Sequence, residues 1–167
     1  MGLVRYSPRL VAMKCGWVSV AGTKERLFSH YFKGVEIELF RKWCEAFSRH
    51  LQPMIRPKAQ TAIRKHLEAG DTLVIVSASI DEWIRPWAIA QGFHEVIATQ
   101  AEVDPSGRLT GRFATPNCIR QEKVTRLLLR YPDRQTYELW AYGDSRGDRE
   151  LIDFADQGWY NRFRSYK

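Results

Sequence analysis

Leu73-Val74-Ile75-Val76-Ser77-Ala78-Ser79 is the stretch that decides the fold. Its first four residues form a continuous apolar run rich in β-branched side chains. Such a run suits a strand buried on both faces of a parallel sheet, because a half-solvated strand would alternate polar and apolar positions. Ser77-Ala78-Ser79 then closes the run. Ser79-x-x-Glu82 has the form of a capping box, which predicts a helix from there to Gln91, before Gly92. Pro86 should kink that helix or mark its true first turn.

Outward toward the carboxyl terminus, strands and helices alternate. Glu95–Thr99 reads as a second strand. Asp104-Pro105-Ser106-Gly107 is a strong turn signal, so Ala101–Asp104 and Arg108–Phe113 should form a hairpin. Ile119–Tyr131 has helical periodicity, Glu138–Tyr142 is a third strand, Gly147–Asp156 a short helix, and Trp159–Phe163 a final strand. Strand–helix alternation with one hairpin predicts an open α/β fold: a Rossmann-like parallel sheet over residues 67–167.

The first 66 residues read differently. Thr23 is placed to cap a helix over Lys24–Lys33, with Leu27, Phe28, Tyr31 and Phe32 on one face and Gly34 as its stop. Val35–Leu51 sets Phe40, Trp43, Phe47 and Leu51 at helical spacing, which predicts that these aromatics are core. After Pro53 and Pro57, Lys58–Ala69 makes another helix, ended by Gly70. Residues 1–66 are therefore expected to be an all-helical cap on the α/β core.

Charge divides along the same boundary. Residues 1–66 hold 13 Lys/Arg and four Glu, a balance of +9, while residues 67–167 balance at −2. A basic half beside a nearly neutral one suits phosphate substrates, anionic lipid headgroups or nucleic acid, and equally a solvated basic helical surface. No helix-turn-helix, zinc-finger or RNA-binding signature accompanies the arginines, so no nucleic-acid partner is expected. No apolar run reaches the ~18 residues of a spanning helix; the best, Leu10 to Val20, is interrupted by Lys14. No secretory signal is recognisable. Cys15, Cys44 and Cys118 lack metal-like spacing, and reduced thiols in a cytoplasmic protein are the simplest account.

Three features fall at or near the carboxyl ends of the predicted strands, where open α/β sheets bind ligands. Ser77, with the backbone N–H groups around Ala78, could hold a phosphoryl oxygen; a plain helix cap fits Ser79 better than Ser77. Lys123 sits early in its helix, where the dipole disfavours a cation. A local anion would explain it, and so would an exposed pair with Glu122. Asp144 and Asp148, in Tyr142-Gly143-Asp144-Ser145-Arg146-Gly147-Asp148, suit a hard cation such as Mg²⁺ that keeps several waters and a substrate phosphate. A polar strand-to-helix loop is the bland alternative.

Taken in order, Val74-Ile75-Val76-Ser77-Ala78-Ser79, Glu122-Lys123-Val124 and Tyr142-Gly143-Asp144-Ser145-x-Gly147-Asp148 resemble the second, third and fourth motifs of the haloacid dehalogenase superfamily of phosphohydrolases. The similarity is closest to its phosphoserine-phosphatase-like branch, and covers residues 23–163. That resemblance implies a catalytic set of Ser77, Lys123, Asp144 and Asp148. Ser77, Ala78 and Lys123 would bind the transferring phosphoryl group, and Lys123 would also stabilise an aspartyl-phosphate. Asp144 would ligate Mg²⁺, and Asp148 would support the metal site or its waters. The superfamily's first motif, Asp-x-Asp-x-Thr, ends the first strand and carries the nucleophile. No Asp precedes Asp71 here, so nucleophile and central strand are expected to be missing and this chain to be inactive or nearly so. Strands flanking a missing one would expose unpaired edges, which predicts a homodimer or a rearranged sheet. The expected partner is a phosphorylated small molecule such as phosphoserine, or a phospholipid headgroup at a membrane surface, which Trp17 and Trp43 would suit. A catalytically inactive, anion-binding or interaction protein on the same fold is the alternative.

Overall fold

The structure, a computed structural model, describes residues 20–164. Cys15, Trp17 and the apolar stretch from Leu10 lie outside the described residues. Three helices come first: α1 (Val20–Phe32), α2 (Ile37–Leu51) and α3 (Pro57–Glu68). They precede β1 (Val74–Ile80), α4 (Asp81–Ala90), β2 (Glu95–Thr99), the strands β3 (Ala101–Val103) and β4 (Leu109–Phe113), α5 (Gln121–Arg130), β5 (Trp140–Gly143), α6 (Arg149–Phe154) and β6 (Gln157–Tyr160). This mixed α/β order with parallel strand pairs agrees with the class expected from the periodicity.

Helix boundaries follow local chemistry. Gly34 and Gly70 take φ of +83° and +79° after α1 and α3, the left-handed conformation that ends a helix at little cost to glycine. Pro57 opens α3, where its missing N–H costs nothing. Thr23, expected as a cap, instead lies inside α1 and is buried. Its helix begins four residues earlier than the Lys24 start.

The aromatic stripes are core only in part. Phe28, Phe40, Cys44, Ile80 and Leu109 form one buried cluster joining α1 and α2 to the hairpin and to the end of β1. Trp43 and Phe47 are 48% and 50% exposed. On a 3.6-residue helix Phe40 and Cys44 share the inward line, and Trp43 and Phe47 lie on its flank. A second cluster seats Trp87 and Ala88 of α4 on Val96 and Ala98 of β2. In the hairpin, Asp104 Oδ1 accepts hydrogen bonds from the N–H groups of Ser106 and Arg108 at 2.9 and 3.0 Å, and Gly107 takes φ +79° to complete the turn.

The parallel strands of the expected α/β fold come in pairs. Among the described residues β1 pairs in parallel with β2, and β5 pairs in parallel with β6, as two separate two-stranded sheets. β1 was expected to be buried on both faces, yet Val74–Ser79 are only half-buried. The cause is topological: among the described residues β1 has one paired edge, and so does β5. An open groove of about 410 Å³ is lined by Ile75–Ser79 of β1 and by Tyr142 and Gly143 of β5. No described helix is long and apolar enough to cross a membrane.

Candidate active site

β1 continues four residues past Val76, so Ser77 stands inside the strand rather than after it. The pairing of β1 with β2 shifts register between Ser77 and Ile80. Such a bulge kinks the strand and re-aims its side chains. Within it Ser79 N–H donates to Ser77 Oγ at 3.0 Å. Ser79 does not cap α4; Ile80 occupies that position without a side-chain bond, so the predicted capping box is not formed. Ser77, Ala78 and Ser79 all line the groove.

Lys123 is the third residue of α5 and only 6% exposed. Its Nζ donates to the Val76 carbonyl at 2.5 Å and pairs with Asp148 Oδ1 at 2.7 Å. The local anion that its position called for is therefore Asp148. Glu122 pairs with Arg126 at 2.8 Å, one turn away. Lys123 thus ties the edge of β1 to the loop after β5.

That loop is folded on Asp148. Asp148 Oδ2 accepts from the N–H groups of Asp144 and Ser145 at 3.2 and 2.9 Å and from Ser145 Oγ at 2.7 Å. Burial alone would raise the Asp148 carboxyl, but the bonds from Lys123 and Ser145 outweigh it and hold it below the usual carboxylate range. The motif's glycines are spatial requirements. A Cβ at Gly143 would stand 2.4 Å from Asp148 Cβ, and one at Gly147 would stand 2.5 Å from Ile119 Cγ1.

Asp144, by contrast, is 45% exposed at the groove mouth. Arg56, just before α3, pairs with its Oδ2 at 3.0 Å, and Arg164 donates to its carbonyl at 3.1 Å. Sequence reasoning named neither arginine. The basic excess of the first 66 residues hinted at Arg56, but no spacing singles it out. Tyr142 and Phe163 complete the wall, stacked at 5.1 Å. Burial raises the Tyr142 phenol.

A hard cation is compatible with this donor set only through Asp144. Among the described residues no group of three or more His, Cys, Asp or Glu gathers, and both Asp148 oxygens are occupied. Mg²⁺, however, is commonly held by one or two carboxylates with waters and substrate phosphate, and Asp144 offers one such oxygen.

Ser77, Lys123, Asp144 and Asp148 thus meet around one groove at the carboxyl ends of two parallel strand pairs. The chain is 31% identical over 169 residues to Protein CicA of Caulobacter vibrioides, covering 98% of this chain and 73% of that one. It is 28% identical over 118 residues to a histidinol-phosphatase of Neisseria meningitidis, covering 68% of this chain and 53% of the relative. A solved structure of a probable phosphoserine phosphatase from Vibrio cholerae superposes with a TM-score of 0.66 at 15% identity, over 90% of this chain and 45% of that one, which bears on the fold alone. A family model described as haloacid dehalogenase-like hydrolase matches residues 7–153, and the chain belongs to that family.

Proposed function

We propose that this chain carries the phosphoryl-binding part of an Mg²⁺-dependent phosphomonoester hydrolase. The observation that carries the reading is the convergence of Ser77, Lys123 and Asp144 on one groove. The Ser77 hydroxyl would donate to a phosphoryl oxygen, and the Lys123 ammonium would offset charge gathering on the transferring group. Phosphoryl transfer depends mostly on such positioning and electrostatics. Asp144 would hold Mg²⁺, with Asp148 orienting the loop around it. When bound there, Mg²⁺ would supply positive charge against the charge developing on the phosphoryl group.

The attacking carboxylate is a separate question. Among the described groove residues the carboxylates are Asp144 and Asp148, and both are engaged by cations. An aspartyl-phosphate route would need a further carboxylate in the groove, attacking phosphorus as the P–O bond to the departing alcohol breaks. The helices of residues 1–66 would form the basic cap that selects the substrate. A soluble phosphomonoester is the simplest one, and the likeness to a histidinol-phosphatase favours it over a phospholipid headgroup.

The test combines binding with turnover. Titration of the 167-residue chain with inorganic phosphate should show binding that Mg²⁺ strengthens, and Asp144→Asn should weaken the Mg²⁺-dependent part about tenfold, the scale of one charge-assisted contact. Hydrolysis of p-nitrophenyl phosphate should stay at background. A metal-dependent rate abolished by Asp144→Asn would overturn the missing-nucleophile claim, and no phosphate binding would overturn the site. The Arg56–Asp144 pair favours one second reading, a non-catalytic anion-binding protein; phosphate affinity indifferent to Mg²⁺ would select it.

A further inference from the structure

The β1 bulge is held from the side of α1 by a lysine that the scheme above does not use. Lys24 Nζ donates to the Ala78 carbonyl and, at 2.9 Å, to Asn117 Oδ1. Its ammonium lies 4.7 Å from the centre of the Phe113 ring. The Thr99 hydroxyl, fully buried, lies 3.2 Å from both the Ala78 carbonyl and Asn117 Oδ1. Cys118 N–H donates to that hydroxyl at 3.2 Å. Burial pushes the Lys24 amine down to about 8, against the opposing influence of the Cys118 thiol. An ammonium so placed is costly to desolvate, and its charge-assisted bond to Ala78 is correspondingly strong.

The Ala78 carbonyl and the Ser79 N–H are the two ends of one peptide unit. Polarising the carbonyl makes the N–H a better donor, since hydrogen bonds in a chain reinforce one another. That N–H donates to Ser77 Oγ at 3.0 Å. With a lone pair so occupied, the hydroxyl proton is left to point elsewhere, and Ser77 lines the groove.

We infer that Lys24 is a positioning residue: through the Ala78–Ser79 peptide it fixes and polarises the Ser77 hydroxyl as a donor to the phosphoryl group. The inference rests on the proposal that Ser77 binds that group. Two readouts separate their failures. In a double-mutant cycle on inorganic phosphate affinity, Lys24→Met should weaken binding about tenfold with Ser77 present and less than about twofold in Ser77→Ala. Equal losses in both backgrounds would overturn the relay. Independently of any ligand, Lys24→Met should move the Ser79 amide proton upfield in ¹⁵N-correlated spectra, and an unmoved resonance would also overturn it. If Ser77→Ala alone leaves phosphate affinity unchanged, the site reading fails, and the Ser79 resonance still judges the clamp. Should Lys24→Met fold poorly, Lys24→Gln keeps a donor without the charge. It should give a smaller loss that again disappears in Ser77→Ala; a loss that persists there overturns the relay.

Discussion

Asp148 shows how one carboxylate can organise a loop without being free for chemistry. It accepts from two backbone N–H groups and a hydroxyl while pairing with Lys123, and the two side chains are 16% and 8% exposed. Its carboxyl is held below the ordinary value of about 3.9. A depressed carboxyl stabilises the fold above its unfolded value, and that contribution disappears as pH falls through the folded value. Asp148→Asn should therefore cost about 3 kcal/mol at neutral pH, because Lys123 loses its buried counter-charge. The deficit should shrink on acidification below about pH 4, which urea denaturation at a series of pH values would measure. A deficit constant from pH 7 to about pH 3 would mean that the carboxylate's charge is not what matters. The need for an anion beside Lys123 was legible in the sequence, from a cation early in a helix. Its identity was not, because Glu122 is nearer in the chain and only the fold brings Asp148 within reach.

Gly158, by contrast, matters for what it lacks. A Cβ there would stand 2.3 Å from the Ile152 carbonyl oxygen, where α6 crosses β6. Backbone cannot yield as a flexible side-chain tip can, so Gly158→Ala should cost about 2–3 kcal/mol, the upper part of the overpacking range. Trp43→Ser, on the exposed flank of α2, should stay within about 0.5 kcal/mol. Thermal unfolding of the two variants side by side checks both, and a larger loss from Trp43→Ser would show that its face is covered in solution. Periodicity placed most helices and strands to within a few residues, yet did not rank the aromatics of α2. Phe40, Trp43 and Phe47 all satisfy helical spacing, and which line faces inward depends on where the hairpin packs. The β1 bulge was equally hidden. An apolar run announces a strand, but the register shift after Ser77 comes with bonds to the Ala78 carbonyl from Lys24 and Thr99, both remote in sequence.

At the scale of the molecule the two parallel pairs, β1–β2 and β5–β6, each leave an edge unpaired among the described residues. Strand–helix alternation made the α/β class legible, and the motif order picked out Ser77, Lys123, Asp144 and Asp148, which the fold brings to one groove. Unpaired N–H and C=O groups along an edge are a template for another strand. Ile75 and Val76 line the groove at that edge, where Lys123 bonds the Val76 carbonyl. The 167-residue chain should consequently self-associate. Sedimentation should show a dimer whose fraction grows with concentration, up to roughly 100 μM. Amide exchange in Ile75–Ser77 and Ala141–Gly143 should slow as the dimer forms, while exchange in α5 stays unchanged. A monomer throughout that range, with exchange in these strands independent of concentration, would show that the edges are protected by this chain itself. If dimerisation instead occurred without added protection in β1 and β5, the association would belong to another face, with the exposed Trp43 and Phe47 of α2 the first place to substitute.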